Sequence, residues 1–336
     1  MKPILALTQG DPAGIGPEIL LKLFLDSPEP PGWRPILVAE RAALEALRPV
    51  LPHFPWERLR YLAAPPCREA AAGGGIPVLD PVGARRALVF GSSGPADAGG
   101  AMAALDAGIS LVRAGVADAL VTAPVSKESI ARHHLSGFVG HTDYLAVACG
   151  LERYGRDYLM AFLAPELQVA LLNVHLPLRE ALDGITGEAV GEALDCLHRH
   201  AGGRIALAGL NPHAGEGGLL GAEEDAVLAP AAAAARARGV DVHGPESADS
   251  LFARARRGEF DWALALYHDQ GLIAVKTAAF GLATNWTLGL PFLRTSVDHG
   301  TAFPLAGRGV ADAGPLKAVV ETTLKLISGE LPRRRG

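Results

Sequence analysis

The chain has 336 residues, 49% of them apolar, and a formal net charge of −5. That length suffices for two domains or one large α/β unit with a sizeable core, and the acidic balance argues against nucleic acid as the main partner while leaving small anionic substrates open, since a few local cations suffice. The three cysteines, Cys67, Cys149 and Cys196, show no CxxC spacing; with no signal-peptide pattern and no apolar run of the roughly 18 residues a membrane span needs, they fit a reduced, cytoplasmic protein rather than a disulfide framework or a membrane protein.

Apolar runs alternate with helical segments along the chain. Ile4 to Thr8 reads as a strand, followed by a Gly/Pro turn and a helix that Pro17 opens and that runs to about Asp26. Pro35 to Ala39 is a second strand, and residues 64–96, rich in Pro, Gly and Ala, read as loop with a short strand. Gly99 to Arg113 is a helix closed by Gly115, and Ala119 to Thr122 a strand. Val169 to Val174, Ile205 to Gly209 and Ala263 to Tyr267 are further strands. A helix over about 222–238 carries Glu223, Glu224 and Asp225 at its start and Arg236 and Arg238 at its end, which suits the helix dipole, and Pro230 kinks or splits it. The alternation predicts an α/β fold with a mostly parallel sheet and helices on its faces. The Arg333-Arg334-Arg335 tail reads as a solvated end.

His175, His213 and His268 each stand just beyond the end of a predicted strand. Parallel α/β sheets carry their chemistry at the carboxyl ends of their strands. A single histidine there is usually a hydrogen-bonded rim residue, but three in equivalent places point to a shared metal or substrate site. Three protein ligands with positions left open is the catalytic pattern of zinc and similar ions. His53, His133, His134, His198, His200 and His243 lack that placement and read as surface or structural.

Anion-binding candidates are spread more widely. Thr122-Ala-Pro-Val-Ser-Lys127 follows a strand, and His141-Thr142-Asp143 opens a helix whose first N–H groups can hold an anion. Lys276 and Arg294 add positive charge with Asn285 between them, and Arg294 follows the apolar segment Leu288 to Leu293. Asp249 and Asp269 are candidate general bases or partners of the histidines, Asp249 being equally readable as a helix N-cap. No GxGxxG follows the first strand, and neither a Walker A loop nor a GxSxG elbow is present. The residues alone therefore describe a metal-assisted enzyme acting on a small anion.

Taken together, the motifs resemble the 4-hydroxythreonine-4-phosphate dehydrogenase family of vitamin B6 biosynthesis. The matching pieces are Thr8-Gln-Gly-Asp-Pro-Ala-Gly-Ile-Gly-Pro-Glu18, Thr122 to Lys127, Gly140-His-Thr-Asp143, Asn211-Pro-His-Ala-Gly-Glu-Gly-Gly218, Tyr267-His-Asp-Gln-Gly271 and Thr287 to Thr301, in order over nearly the whole chain. The resemblance implies an NAD-dependent homodimer, with NADP left open, and one divalent ion (zinc, magnesium or cobalt) near the subunit interface. It places His175, His213 and His268 as metal ligands, and His141, Thr142, Lys276, Asn285 and Arg294 as substrate contacts. It implies oxidation of the C3 hydroxyl of 4-phosphooxy-threonine, with Asp249, Asp269 or Lys276 as base, and loss of CO2 to give 3-amino-2-oxopropyl phosphate. Relatives acting on threonate or erythronate 4-phosphate, or on a cis-dihydrodiol carboxylate, share these features, and a phosphate-ester-binding protein without turnover is a more distant alternative.

A wider similarity is to isocitrate and isopropylmalate dehydrogenases. Gly10 to Glu18, with Gly14 and Gly16, is similar to their N-terminal glycine-rich turn, and the run His299, Gly300, Thr301, Ala302 on to Gly307 to their adenosine-binding loop. That likeness implies a discontinuous first domain over 1–125 and 290–336, a middle domain over 126–289 carrying the histidines, and an active cleft between them.

Overall fold

The computed structural model describes residues 2–25, 30, 32–71 and 73–331. Among them are twelve strands: β1 (Ile4–Thr8), β2 (Arg34–Val38), β3 (Leu59–Leu62), β4 (Ile76–Leu79), β5 (Ala119–Thr122), β6 (Leu159–Leu163), β7 (Gln168–Leu171), β8 (Ile205–Ala208), β9 (Val242–Glu246), β10 (Trp262–Ala265), β11 (Thr284–Leu288) and β12 (Leu293–Val297). The chain divides into two compact units, one built from Met1–Tyr144 and Phe292–Glu330, the other around Leu145–Pro291.

In the first unit the strand order is β3-β4-β2-β1-β5-β12, and every pair is parallel. β1, β4 and β5 are buried along their whole length, as strands with both faces covered must be. Leu5, Leu7, Leu37, Val78 and Val121 share one core with Leu20 and Phe24, and with Leu316 and Val320 from the helix Gly314–Ile327. The helix Pro95–Arg113 starts where Pro95 offers no N–H to satisfy and Asp97 accepts the Gly94 N–H at 2.9 Å.

In the second unit the order is β11-β6-β7-β10-β8-β9. β7, β10, β8 and β9 run parallel, while β6 is antiparallel to both β7 and β11. β7, β10 and β8 are neighbours, so their carboxyl ends share one edge. The helix His268–Ala279 lies tightly against this sheet: a Cβ at Gly271 would come within 2.7 Å of Leu171 Cδ2 and 2.9 Å of Val169 Cγ1.

Some expected elements differ in the structure. The helix opened by Pro17 is Gly16–Lys22; Asp26, its expected end, and the Arg333-Arg334-Arg335 tail lie outside the described residues. Residues 64–96 hold a short helix, Arg68–Ala71, as well as β4. The helix expected over 222–238 is split into a π-helical turn, Glu224–Leu228, and an α-helix, Ala229–Ala237, with Pro230 in its first turn. Proline has no N–H to continue an i→i−4 ladder, so the junction falls beside it. No helix among the described residues is long and apolar enough to cross a membrane.

Candidate active site

The first unit gathers a cationic cluster around the buried Arg294 at the end of β5. Ser126 Oγ accepts the Ser129 N–H at 3.2 Å and so starts the helix Lys127–His133. Arg294, on β12, runs along β5 and donates from Nη2 to Thr122 Oγ1 at 2.7 Å. The residue is 1% exposed, and desolvation pulls its guanidinium from 12.5 down to about 9. His141 opens the helix His141–Ala148, with Thr142 buried beside it. Its Nε2 is buried with no hydrogen-bond partner. Desolvation first, then the charges of Arg294 and Lys127, hold its pKa well below 6.5, so the ring is neutral. Lys127 Nζ comes within 3.5 Å of where a Cβ on Gly140 would sit, immediately before His141. Two cations, a hydroxyl and a neutral imidazole with an unused nitrogen are a recognition set for an oxyanion.

The same unit brings the two glycine-bearing loops together. Ile15 N–H donates to Thr301 O at 3.0 Å, and a Cβ on Gly14 would meet the Thr301 Cβ at 3.1 Å. At Gly16 a Cβ would sit 1.9 Å from Gln9 O, so only glycine fits this turn. Nothing lies within 4 Å of a Cβ built on Gly300, and Ala302 has φ 43°. His299 lies in the same loop, its Nδ1 3.0 Å from Gly300 O. Glu18 accepts the N–H groups of Gly309 and Ala311, and Lys22 donates to their carbonyls, fixing the far end of this loop.

In the second unit His175, His213 and His268 follow the neighbouring strands β7, β8 and β10. The His175 and His268 rings lie 5.6 Å apart between centroids. Two imidazoles on one ion, with N–metal distances of about 2.1 Å, have ring centres roughly 5 Å apart, so this pair fits a shared divalent ion. His268 Nδ1–H donates to Asp269 Oδ1 at 2.7 Å, which leaves Nε2 as the nitrogen with a lone pair to offer. His213 is exposed, and among the described residues no three His, Cys, Asp or Glu groups converge as one metal centre. His213 sits in a run of left-handed backbone, with φ 52° at His213, 51° at Ala214 and 44° at Glu216. Each such non-glycine residue costs about 1–3 kcal/mol and persists only where its surroundings enforce it.

The acid–base candidates cluster in part. Asp249 and Asp269 line one cavity of about 530 Å³ with Phe252, Tyr267, Gln270 and Ile273. Asp249 is not the N-cap of its helix, Ala248–Arg256; Ser247 is, and the Ser247 hydroxyl donates to Asp249 Oδ1 at 2.8 Å. Lys276 lies in the last turn of the helix that His268 opens, exposed, and does not line that cavity. Asn285, on β11, has a buried Oδ1 with no hydrogen-bond partner.

Sequence reasoning missed several participants. Lys127 lay within a motif already singled out but received no role. Asp11 is fully buried, with one carboxylate oxygen unpartnered and a pKa raised by burial; its Gly-Asp-Pro context reads only as a turn. Gln270 and Glu224, which hold the histidine loops, carry no signal of that role in the sequence.

A profile of the pyridoxal phosphate biosynthetic protein PdxA matches residues 33–323. The chain is 42% identical to the 4-hydroxythreonine-4-phosphate dehydrogenase of Chromobacterium violaceum over 353 residues, covering 99% of each. Its structure is similar to that of the Klebsiella pneumoniae 4-hydroxythreonine-4-phosphate dehydrogenase, with a TM-score of 0.83 and 32% identity over 97% of this chain and 100% of the other. It is also similar to a terephthalate 1,2-cis-dihydrodiol dehydrogenase from Burkholderia xenovorans, with a TM-score of 0.63 and 27% identity over 98% of this chain and 99% of the other.

Proposed function

This chain belongs to the PdxA family of pyridoxal phosphate biosynthetic proteins, and from that premise we propose which of its residues carry the reaction. The activity is that of an oxidoreductase, 4-hydroxythreonine-4-phosphate dehydrogenase, in pyridoxal phosphate biosynthesis. The observation that carries the assignment of roles is the buried Arg294 and the neutral His141 whose Nε2 is unused. A guanidinium so desolvated gains from taking an anion, and the phosphate of 4-phosphooxy-L-threonine supplies one.

Arg294 and Lys127 hold the phosphate, and His141 and Thr142 fix its orientation. Asn285 offers its Oδ1 to a donor on the substrate, and Lys276 takes a further anionic group. His175 and His268 would hold a divalent ion (zinc, magnesium or cobalt), with His213 the third ligand that the family resemblance assigns; when bound it would supply the Lewis acidity that lowers the pKa of the C3 hydroxyl, and NAD would supply the hydride acceptor. Asp269 is committed to His268 and orients that ring. Asp249, in the same cavity and steadied by Ser247, is then the base that takes the hydroxyl proton, directly or through water. The resulting 3-oxo acid has its ketone β to the carboxylate and loses CO2 to give 3-amino-2-oxopropyl phosphate. Gly14, Gly16 and the loop His299, Gly300, Thr301, Ala302 hold the dinucleotide.

A homodimer with its metal near the interface accords with the exposed apolar side chains around the histidines. Leu176 and Leu178 beside His175, Leu219 beyond His213 and Ile273 after His268 are 48%, 57%, 81% and 66% exposed. Leu176 and Leu178 line one cavity with His268, and large exposed apolar groups beside a site mark an interaction surface.

The test is NADH formation from 4-phosphooxy-L-threonine, D-threonate 4-phosphate and a terephthalate cis-dihydrodiol, each with and without a chelator. Chelator-sensitive turnover greatest on phosphooxy-threonine is expected. Greater turnover on the sugar-acid phosphate or the dihydrodiol overturns the substrate assignment.

A further inference from the structure

The left-handed run at His213, Ala214 and Glu216 needs something to hold it, and the chain into it is fixed from one side by a single buried acid. Glu224 is 3% exposed. Its Oε1 accepts the N–H groups of Leu210 and Asn211, both at 2.7 Å, and its Oε2 accepts Asn211 Nδ2–H at 2.8 Å. Ala214 N–H then donates back to Asn211 O at 3.1 Å, closing the turn around His213. A second tie comes from the helix that follows the neighbouring strand: Gln270 donates to Gly209 O at 2.8 Å and accepts the Leu266 N–H at 2.7 Å, linking the loop that carries His213 to the segment that carries His268. Glu224 begins the π-helical turn Glu224–Leu228. Asp225 is exposed, and Glu223, also exposed, accepts the same Asn211 Nδ2–H at 2.7 Å, but only Glu224 is buried and holds the backbone N–H groups of the loop. π-Helical turns recur at functional sites because their wider pitch re-aims a side chain.

We propose that Glu224 is a positioning residue for His213: its buried carboxylate clamps the Leu210–Asn211 backbone and so sets the strained turn that aims the imidazole at the metal. The role rests on the assignment of His213 as a metal ligand. It does not depend on whether the imidazole serves its own subunit or a second copy. Partners that orient a ligand in this way typically change metal affinity by about 10–100-fold when removed.

The experiment is a cobalt(II) titration of the full-length, metal-stripped protein, followed by visible absorption and by competition with a chelator. His213→Ala, Glu224→Gln and Asp157→Asn are compared with the parent. Asp157 is a matched control, since its carboxylate also clamps two backbone N–H groups, those of Glu152 and Arg153, in a loop of the same unit remote in sequence from the histidines. Glu224→Gln keeps the size but turns one acceptor into a donor facing the Asn211 amide. The expected result is a cobalt Kd raised about 10–100-fold with an altered visible band, against an unchanged Kd and band in Asp157→Asn whatever its loss of thermal stability. A parent-like Kd and spectrum in Glu224→Gln, with both lost in His213→Ala, overturns the positioning role and leaves the ligand assignment standing. Parent-like cobalt binding in His213→Ala overturns the ligand assignment and this role with it. Should Glu224→Gln fail to fold, Asn211→Ala, which removes the side-chain arm to both Glu223 and Glu224, is compared with Glu223→Gln, which weakens only the exposed one: a Kd raised about tenfold in Asn211→Ala alone supports the role, and an unchanged Kd, or an equal rise in both, overturns it.

Discussion

Replacing Arg294 by Met should make the protein more stable and a worse enzyme at once. Arg294 is 1% exposed, and desolvation lowers its guanidinium from 12.5 to about 9. The gap between those values corresponds to about 5 kcal/mol set against the charged form. Because the folded value lies below the unfolded one, that cost is present in full at any pH below about 9 and is relieved as pH rises toward 12.5. Met is close to Arg in length and carries no charge. Substituting apolar groups for a buried ion commonly returns about 1–4 kcal/mol. For a unit of this size each kcal/mol raises Tm by about 2–4 °C, so the ligand-free variant should melt several degrees higher. Loss of the hydroxyl contact to Thr122, about 1 kcal/mol, and of the guanidinium's other contacts subtracts from that gain. Binding moves the other way. Hydrogen bonds to a charged group contribute about 1.5–3 kcal/mol each, so losing a two-point grip on phosphate should raise KM at least about a hundredfold. The assay is thermal unfolding with and without 4-phosphooxy-L-threonine, beside initial rates of NADH formation. The substrate should raise the Tm of the parent by mass action and leave that of the variant unmoved. A variant that melts lower than the parent with an unchanged KM would show that the guanidinium is a structural tie, and the anion-pocket argument would fail.

Three further outcomes follow from the same geometry. His141 has a folded pKa well below its unfolded 6.5, so its contribution to stability is complete above about 6.5 and is lost as pH falls below it; urea unfolding of His141→Gln between pH 7.5 and 5.5 should show a slope shallower than the parent's by up to about 1.4 kcal/mol per pH unit, and equal slopes would mean the ring is not held neutral. Gly271→Ala places a methyl 2.7 Å from Leu171 Cδ2, and its overpacking should lower stability by about 1–3 kcal/mol in chemical denaturation; no loss would mean the helix can back away from the sheet. Glu18→Gln weakens the clamp on the Gly309 and Ala311 amides, and should raise the KM for NAD severalfold while leaving that for the phosphorylated substrate unchanged; a matching rise in both would place the loop elsewhere than at the dinucleotide.

What the sequence discloses and what it hides follow from different physics. The strands β1 and β5 are legible to the residue because each is an unbroken apolar run buried on both faces, and such a run has no solvent side to blur its ends. His175, His213 and His268 are legible as a set because each comes shortly after a run of that kind. Their common edge is not, since it depends on β10 lying between β7 and β8, an order set by how the helices pack and not by the local pattern. β6 is equally apolar, yet its antiparallel direction is invisible in composition.

Glu224 is the instructive failure. In a Glu223-Glu224-Asp225 run at a helix start, each acid has the same ready explanation in the helix dipole, and for the exposed Asp225 that explanation is adequate, while the exposed Glu223 also takes the Asn211 side chain at 2.7 Å. Glu224 escapes it because it is buried, with its carboxylate on the Leu210 and Asn211 amides. Pro230 was the visible trace of the π-helical first turn. The stronger trace lay upstream. A stretch such as Asn211-Pro-His-Ala-Gly-Glu-Gly-Gly218 forces its backbone into the left-handed region at residues that are not glycine, and that strain must be matched by an acceptor for the amides at its entrance. The acids just after such a stretch are therefore the first place to look for that acceptor, ahead of any reading of them as a solvated face.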